Sequence, residues 1–170
     1  MKYIIYLLFL CRLCFPESIL SGDENNKRLP VAVKAKAIVK AAHEYISQHS
    51  GDMKVVQKAL ESSPKFRDDK NKLYVFMHAY NAAKKEAICI GQGIRPELVG
   101  KNMWSLRTPN GRLVFQEMAE LAEEHDNFWL EYEWLNPYTK KIETKRSYFE
   151  KIVLEDGRNA WIACGFWEKK

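Results

Sequence analysis

Two short segments carry the side chains best suited to binding. Tyr132 and Trp134 lie in the run Phe128 to Leu135, and Lys145, Arg146 and Tyr148 lie in a second run beginning near Thr144. Two cations beside three aromatics with polar tips can wall a small pocket and fix an anion in it. The ammonium or guanidinium supplies charge-assisted hydrogen bonds, and phenol and indole add neutral donors on apolar bodies. The same set also fits an ordinary sheet whose charges line its wet face. Strict alternation places Lys145 and Tyr148 on opposite faces of one strand, so both reach one pocket only across a bulge.

Covalent and metal chemistry have less support. No nucleophile motif and no metal-ligand spacing is present. His78, His125 and Cys89 can be grouped only by selection, and His43 and His49 fall on or near a helix with nothing to complete a metal site. The expectation is a non-enzyme with neither cofactor nor metal.

The elements that must position the binding residues follow from periodicity. Ala35, Ile38, Ala42, Tyr45 and Ile46 recur at helical steps from Val31 onward, with Pro30 in a first turn and a stop near Ser50-Gly51. Residues 22–30 read as a polar leader. Asp52 can cap a shorter helix bearing Val55, Val56, Ala59 and Leu60. The run Leu73 to Tyr80 is apolar almost throughout, the pattern of a central strand, and a second strand follows from Glu86 to Gln92. A crossing punctuated by Gly93, Pro96, Gly100, Pro109 and Gly111 leads into a helix from about Arg112 to Glu124. Asn136-Pro137 then separates two strands as a hairpin. The Asp156-Gly157 turn precedes a last strand ending at Trp167. Five strands with a covering helix and a crossing make an α+β domain with room for one small ligand between sheet and roof.

A chain of 170 residues, 46% hydrophobic and 29% charged, fits one globular domain. The charge of +5 is scattered rather than gathered in a stripe, which argues against nucleic acid as a partner. Lys2 and the nine apolar residues Tyr3 to Cys11 form a run too short to span a bilayer and suited to a secretory signal segment over residues 1–21. Cys11 and Cys14 lie inside that segment, which leaves Cys89 and Cys164 in the exported chain.

Leu73-Tyr74-Val75-Phe76, Pro96 to Asn102, Pro109-Asn110-Gly111, Trp129 to Trp134 with Asn136-Pro137, Lys145 to Tyr148, and Trp161 to Gly165 occur in an order that resembles the single Cache domain of the second type. The resemblance covers about residues 31–167. It implies an extracytoplasmic sensing module with a PAS-like five-stranded antiparallel sheet in the order 2-1-5-4-3 and a long N-terminal helix, binding small organic acids without chemistry. In that order the first strand separates Cys89 from Cys164 by roughly 9–10 Å, which points to free thiols. The chain departs from the family pattern at Ala79, Gln92-Gly93 and Thr108, where the family carries Asp, His-Pro and Asp. Those losses tilt the pocket towards an anion.

The resulting expectation is a periplasmic or secreted binding protein, residues 31–170 forming the domain, that holds a small organic anion. Lys145 is the counter-ion and Tyr132 and Tyr148 are the donors. Trp134 and Trp104 pack on the apolar part, and Gln92 is a further donor. Trp129, Trp161 and Trp167 read as packing residues. The alternative is an interaction module that docks a membrane receptor partner, and the long helix offers a homodimer surface.

Overall fold

The run Leu73 to Tyr80 has almost no polar position, and the strand it builds, β2 (Leu73–Asn81), is buried on both faces up to its last residue. A computed structural model describes residues 22–168, with side chains from Pro30 onward. Before β2 come helix α1 (Gly22–His49), helix α2 (Met53–Ser62) and the two-residue β1 (Arg67–Asp68). After it come β3 (Glu86–Gln92), helix α3 (Val114–Glu124), β4 (Asn127–Leu135), β5 (Ile142–Val153) and β6 (Asn159–Trp167). The long strands pair antiparallel in the order β3-β2-β6-β5-β4, with β1 on the β3 side of β2 near its start. Counted among the five long strands this is the order 2-1-5-4-3 that the resemblance implied. The fold is PAS-like α+β.

Each face of the sheet has its own core. On one face α1 lays the seam Ala35, Val39, Ala42 and Ile46 against Val75, Met77, Ile162 and Cys164, and α2 adds Val56 and Leu60. On the other, α3 and the crossing roof the rings of Tyr74, Phe76, Tyr80, Phe149 and Trp161 with Phe115, Met118 and Met103. Alternation along β2 sends Tyr74, Phe76, His78 and Tyr80 to the roof and Val75, Met77 and Ala79 to the helix. Asp52 caps α2, accepting from the backbone N–H groups of Lys54 and Val55 at 3.0 and 3.2 Å.

Two boundaries differ from the periodic reading. Helix α1 reaches back to Gly22 through the expected polar leader, so Pro30 stands inside the helix. The helix starts at Gly22, eight residues before the proline. In β3 the register slips between Met77 and His78, which pair with Gly91 and Cys89, leaving Ile90 as the extra residue. The slip returns Gln92 to a position opposite Phe76, at the roof face. The expected signal segment over residues 1–21, with Cys11 and Cys14, lies outside the described residues. Cys89 and Cys164 are buried free thiols, with β2 between their strands.

Gly165 is required by the closeness of its neighbours. A Cβ there would lie 2.6 Å from the Arg146 carbonyl oxygen and collide with the Ser147 hydroxyl. Gly165→Ala is therefore expected to destabilise the domain by about 1–3 kcal/mol, the usual range for overpacking. Urea denaturation of the two proteins measures it.

Candidate ligand-binding site

The β4–β5 ladder runs without interruption from Asn127 opposite Glu150 to Leu135 opposite Ile142. With no bulge in it, Lys145, Ser147 and Phe149 face the roof, and Arg146, Tyr148 and Glu150 face α1. This divides the expected site. Tyr148 packs on Trp129 with ring centroids 5.2 Å apart, its ring 5.0 Å from the Lys36 ammonium, and its hydroxyl donates to Glu150 at 3.0 Å. It takes no part on the Lys145 side.

Lys145 is 2% exposed. Its Nζ donates to the Tyr74 hydroxyl at 3.0 Å and lies 4.3, 4.5 and 5.3 Å from the ring centroids of Tyr74, Phe76 and Trp167. Among the described residues no carboxylate comes within 4.0 Å of it. An ammonium can donate three hydrogen bonds; one is placed, and aromatic faces supply the remaining stabilisation. Burial holds the Lys145 pKa below the ordinary lysine value, with the nearby Tyr132 and Cys164 working the other way. The same desolvation pushes the Cys164 thiol up to about 12 and raises Tyr74 and Tyr132.

Tyr132 stands opposite Lys145 in the ladder and shares a hydrogen bond with the Ser147 hydroxyl at 3.1 Å. Trp134, two residues on, meets Tyr132 and Phe115 edge-on at 6.1 and 5.8 Å. Trp104 packs on the same roof cluster and accepts at its carbonyl from Gln116 at 3.1 Å. Gln92 is buried; its backbone amide donates to the Gln57 side chain at 3.1 Å, while its own Oε1 is buried without a partner. The indole N–H of Trp167 is likewise buried and unpartnered. Lys145, Tyr132 and Trp134 thus belong to one roof-side group, to which Tyr74, Phe76, Ser147 and Trp167 are added. The alternation of Tyr74 and Phe76 along β2 was the signal for the first two; Trp167, read as packing, borders the ammonium. Trp129 and Trp161 do pack in the two cores, as read.

Two cavities lie elsewhere. One of about 430 Å³ opens on the α1 side beside His43, Asp126 and Glu150. Another of about 500 Å³ lies at the far end of the sheet beside Tyr80, Glu123 and Arg158. The catalytic grouping considered from sequence does not assemble either. His78 and Cys89 face each other across the β2–β3 ladder, but burial pushes the imidazole down to about 3 and the thiol up to about 11. His125 is exposed next to Glu124, away from both. A neutral imidazole beside a protonated thiol is not an activated nucleophile pair.

A PAS-like sheet holding one enclosed cation under an aromatic roof has the architecture of a small-ligand sensor domain. The family profile of the Cache domain (the dCache_2 type) matches residues 32–156, and the chain belongs to the Cache family. Among solved structures it is similar to a periplasmic sensor domain of a chemotaxis protein, with TM-score 0.66 and 19% identity over 84% of this chain and 98% of that one. It is also similar to a Cache chemosensory domain described for carboxylic acid recognition, with TM-score 0.63 and 16% identity over 88% and 100%. A methyl-accepting chemotaxis protein from Vibrio parahaemolyticus RIMD 2210633 gives TM-score 0.63 and 20% identity over 85% and 94%. No curated protein sequence matches the chain. Among the described residues no helix is long and apolar enough to cross a membrane.

The depressed pKa of Lys145 carries a sign. Below it both folded and unfolded states hold the proton and folding bears the full desolvation cost; between it and the ordinary value of 10.5 the unfolded chain holds more protons. The Lys145 contribution therefore becomes more favourable as pH rises through that window. Tyr74, Tyr132 and Cys164, with raised values, oppose it at the alkaline end, so the comparison with Lys145→Met isolates the effect. Lys145→Met is expected to melt higher than the parent at pH 7, by an amount that shrinks towards pH 10.5. Thermal denaturation of both proteins across that range provides the measurement.

Proposed function

We propose that this Cache domain is a non-catalytic extracytoplasmic sensor of a small organic carboxylate, captured on the roof side of the sheet. The observation that carries the reading is the enclosed Lys145 ammonium, which has one hydroxyl and three rings around it and no carboxylate among the described residues. A buried cation without a counter-ion is costly, and a guest carboxylate would offset that cost with charge-assisted bonds in a shielded site. The reading is further supported by the likeness to a Cache domain described for carboxylic acid recognition.

In this reading Lys145 is the counter-ion, with the Tyr74 and Tyr132 hydroxyls and the Trp167 indole N–H as neutral donors. Trp134 and Trp104 flank the apolar part of the guest. Gln92 sits at the β3 margin, where its buried amide can meet a polar group. Phe76 and the Trp167 ring wall the ammonium, so entry requires the half-buried Trp167, at the end of β6, to swing aside. No bond forms or breaks. The ligand is held by charge and released unchanged.

Titration calorimetry with acetate and propionate, each against its amide, tests the assignment. Binding of the acids and not the amides is expected, with affinity falling as pH rises past the depressed Lys145 pKa because the cation is lost. Lys145→Met should weaken binding by roughly thirtyfold or more, and Tyr132→Phe by about fivefold, following the strengths of charged and neutral hydrogen bonds. Unaltered carboxylate binding in Lys145→Met would overturn the site.

A further inference from the structure

Where β4 ends and β5 begins, three large apolar side chains face solvent. Leu135, Tyr138 and Ile142 are 46%, 40% and 45% exposed. Leu135 and Ile142 form the last pair of the ladder, and Tyr138 stands in the turn between them. Around them are four exposed lysines: Lys140 and Lys141 in the same turn, and Lys70 and Lys72 in the turn between β1 and β2. The Lys72 ammonium lies 4.8 Å from the Tyr138 ring centroid, which brings the two turns together. Nearby acids are engaged elsewhere. Asp68 pairs with Lys34 at 3.0 Å and Asp69 with Arg67 at 2.6 Å, and Glu143 accepts from Asn136 and Thr139, both at 2.6 Å.

The chain enters the domain at this same end. Lys34, early in α1, reaches Asp68; further along the helix His43 meets Glu150, and Ser50 accepts from the Glu155 amide at the opposite end of the sheet. Helix α1 therefore runs away from the tip, and the apolar segment Tyr3 to Cys11 precedes its tip-side end in the sequence.

We propose that this tip rests on an anionic lipid surface. Leu135, Tyr138 and Ile142 enter the boundary between headgroups and acyl chains while Lys70, Lys72, Lys140 and Lys141 face lipid phosphates. A few apolar side chains inside a cationic rim match the two forces that hold peripheral proteins on anionic bilayers, shallow apolar burial and attraction to negative headgroups. The surface would also set the domain with its α1 entry towards the bilayer. A flat protein interface would instead call for a larger contiguous apolar patch.

Hydrogen exchange of residues 22–170, the chain without the expected signal segment, tests this, with vesicles of phosphatidylcholine alone or mixed with phosphatidylglycerol. Amides in residues 135–142 should slow by about tenfold on the anionic vesicles and remain unaltered on the neutral ones, given about one unit of RT-scale attraction or more per surface lysine. Lys70→Glu combined with Lys141→Glu, positions outside the left-handed backbone region, should remove the protection, and so should Leu135→Ser combined with Ile142→Ser. Unaltered exchange in β2 and β6 shows that each variant is folded. No tip protection on anionic vesicles, equal protection on neutral ones, or full protection in both folded variants would overturn the proposal. Protection by an acidic protein but by no vesicle would do the same and make the tip a protein-docking surface.

Discussion

One buried ammonium constrains much of this structure. Lys145 sits inside a sheet covered on both faces, where desolvating a charge costs several kcal/mol even after relaxation. Its compensation is local and partial: one hydrogen bond from Nζ to the Tyr74 hydroxyl and the faces of Tyr74, Phe76 and Trp167. A desolvated cation over a ring gains about 2 kcal/mol. The remaining cost is carried by the two cores, the α1 seam on one side and the α3 roof on the other. Neither core could tolerate a slip in the β5 register. Moving β5 by one residue would bring Lys145 under α1 and turn Phe149 away from Phe76 and Phe128.

That dependence on register explains what the sequence could and could not disclose. The hairpin around Asn136-Pro137 was legible because Tyr132 and Trp134 alternate strictly with Glu131 and Glu133. Helix α1 was legible from its apolar seam, and the cap at Asp52 from residue type. The strand order came from resemblance rather than periodicity, since alternation says which residues share a face but not which strands are neighbours. Tyr74 was missed for that reason. It lies 71 positions from Lys145, on a strand apolar on both faces, and only β6 lying between β2 and β5 brings them within hydrogen-bond distance.

Tyr148 illustrates a different failure. Its hydroxyl makes it a plausible donor by type, yet type cannot override the period of two, and the uninterrupted ladder sends it under α1. The expected leader was misread through a rule that is sound on average. Proline favours a first turn, but a helix that begins at Gly22 can carry Pro30 at the cost of one backbone bond. Trp167 was read as packing from composition alone. Its place opposite Lys145 in the β5–β6 ladder sets that ring 5.3 Å from the ammonium.

The uncompensated charge at Lys145 is the feature on which the proposed sensing would turn. A glutamate placed beside Lys145 would complete an ion pair; among the described residues the cation instead has one hydroxyl and three rings. In the proposed reading a carboxylate beside Lys145 would gain twice, from its own bonds and from the desolvation cost it relieves. An amide of the same shape would gain only the first. A ligand shifts a conformational equilibrium only by its difference in affinity for the two states, and the proposed reading would concentrate that difference at Nζ of Lys145. Trp167 both walls that atom and terminates β6, so in the proposed reading an anion admitted there would also displace the end of the strand.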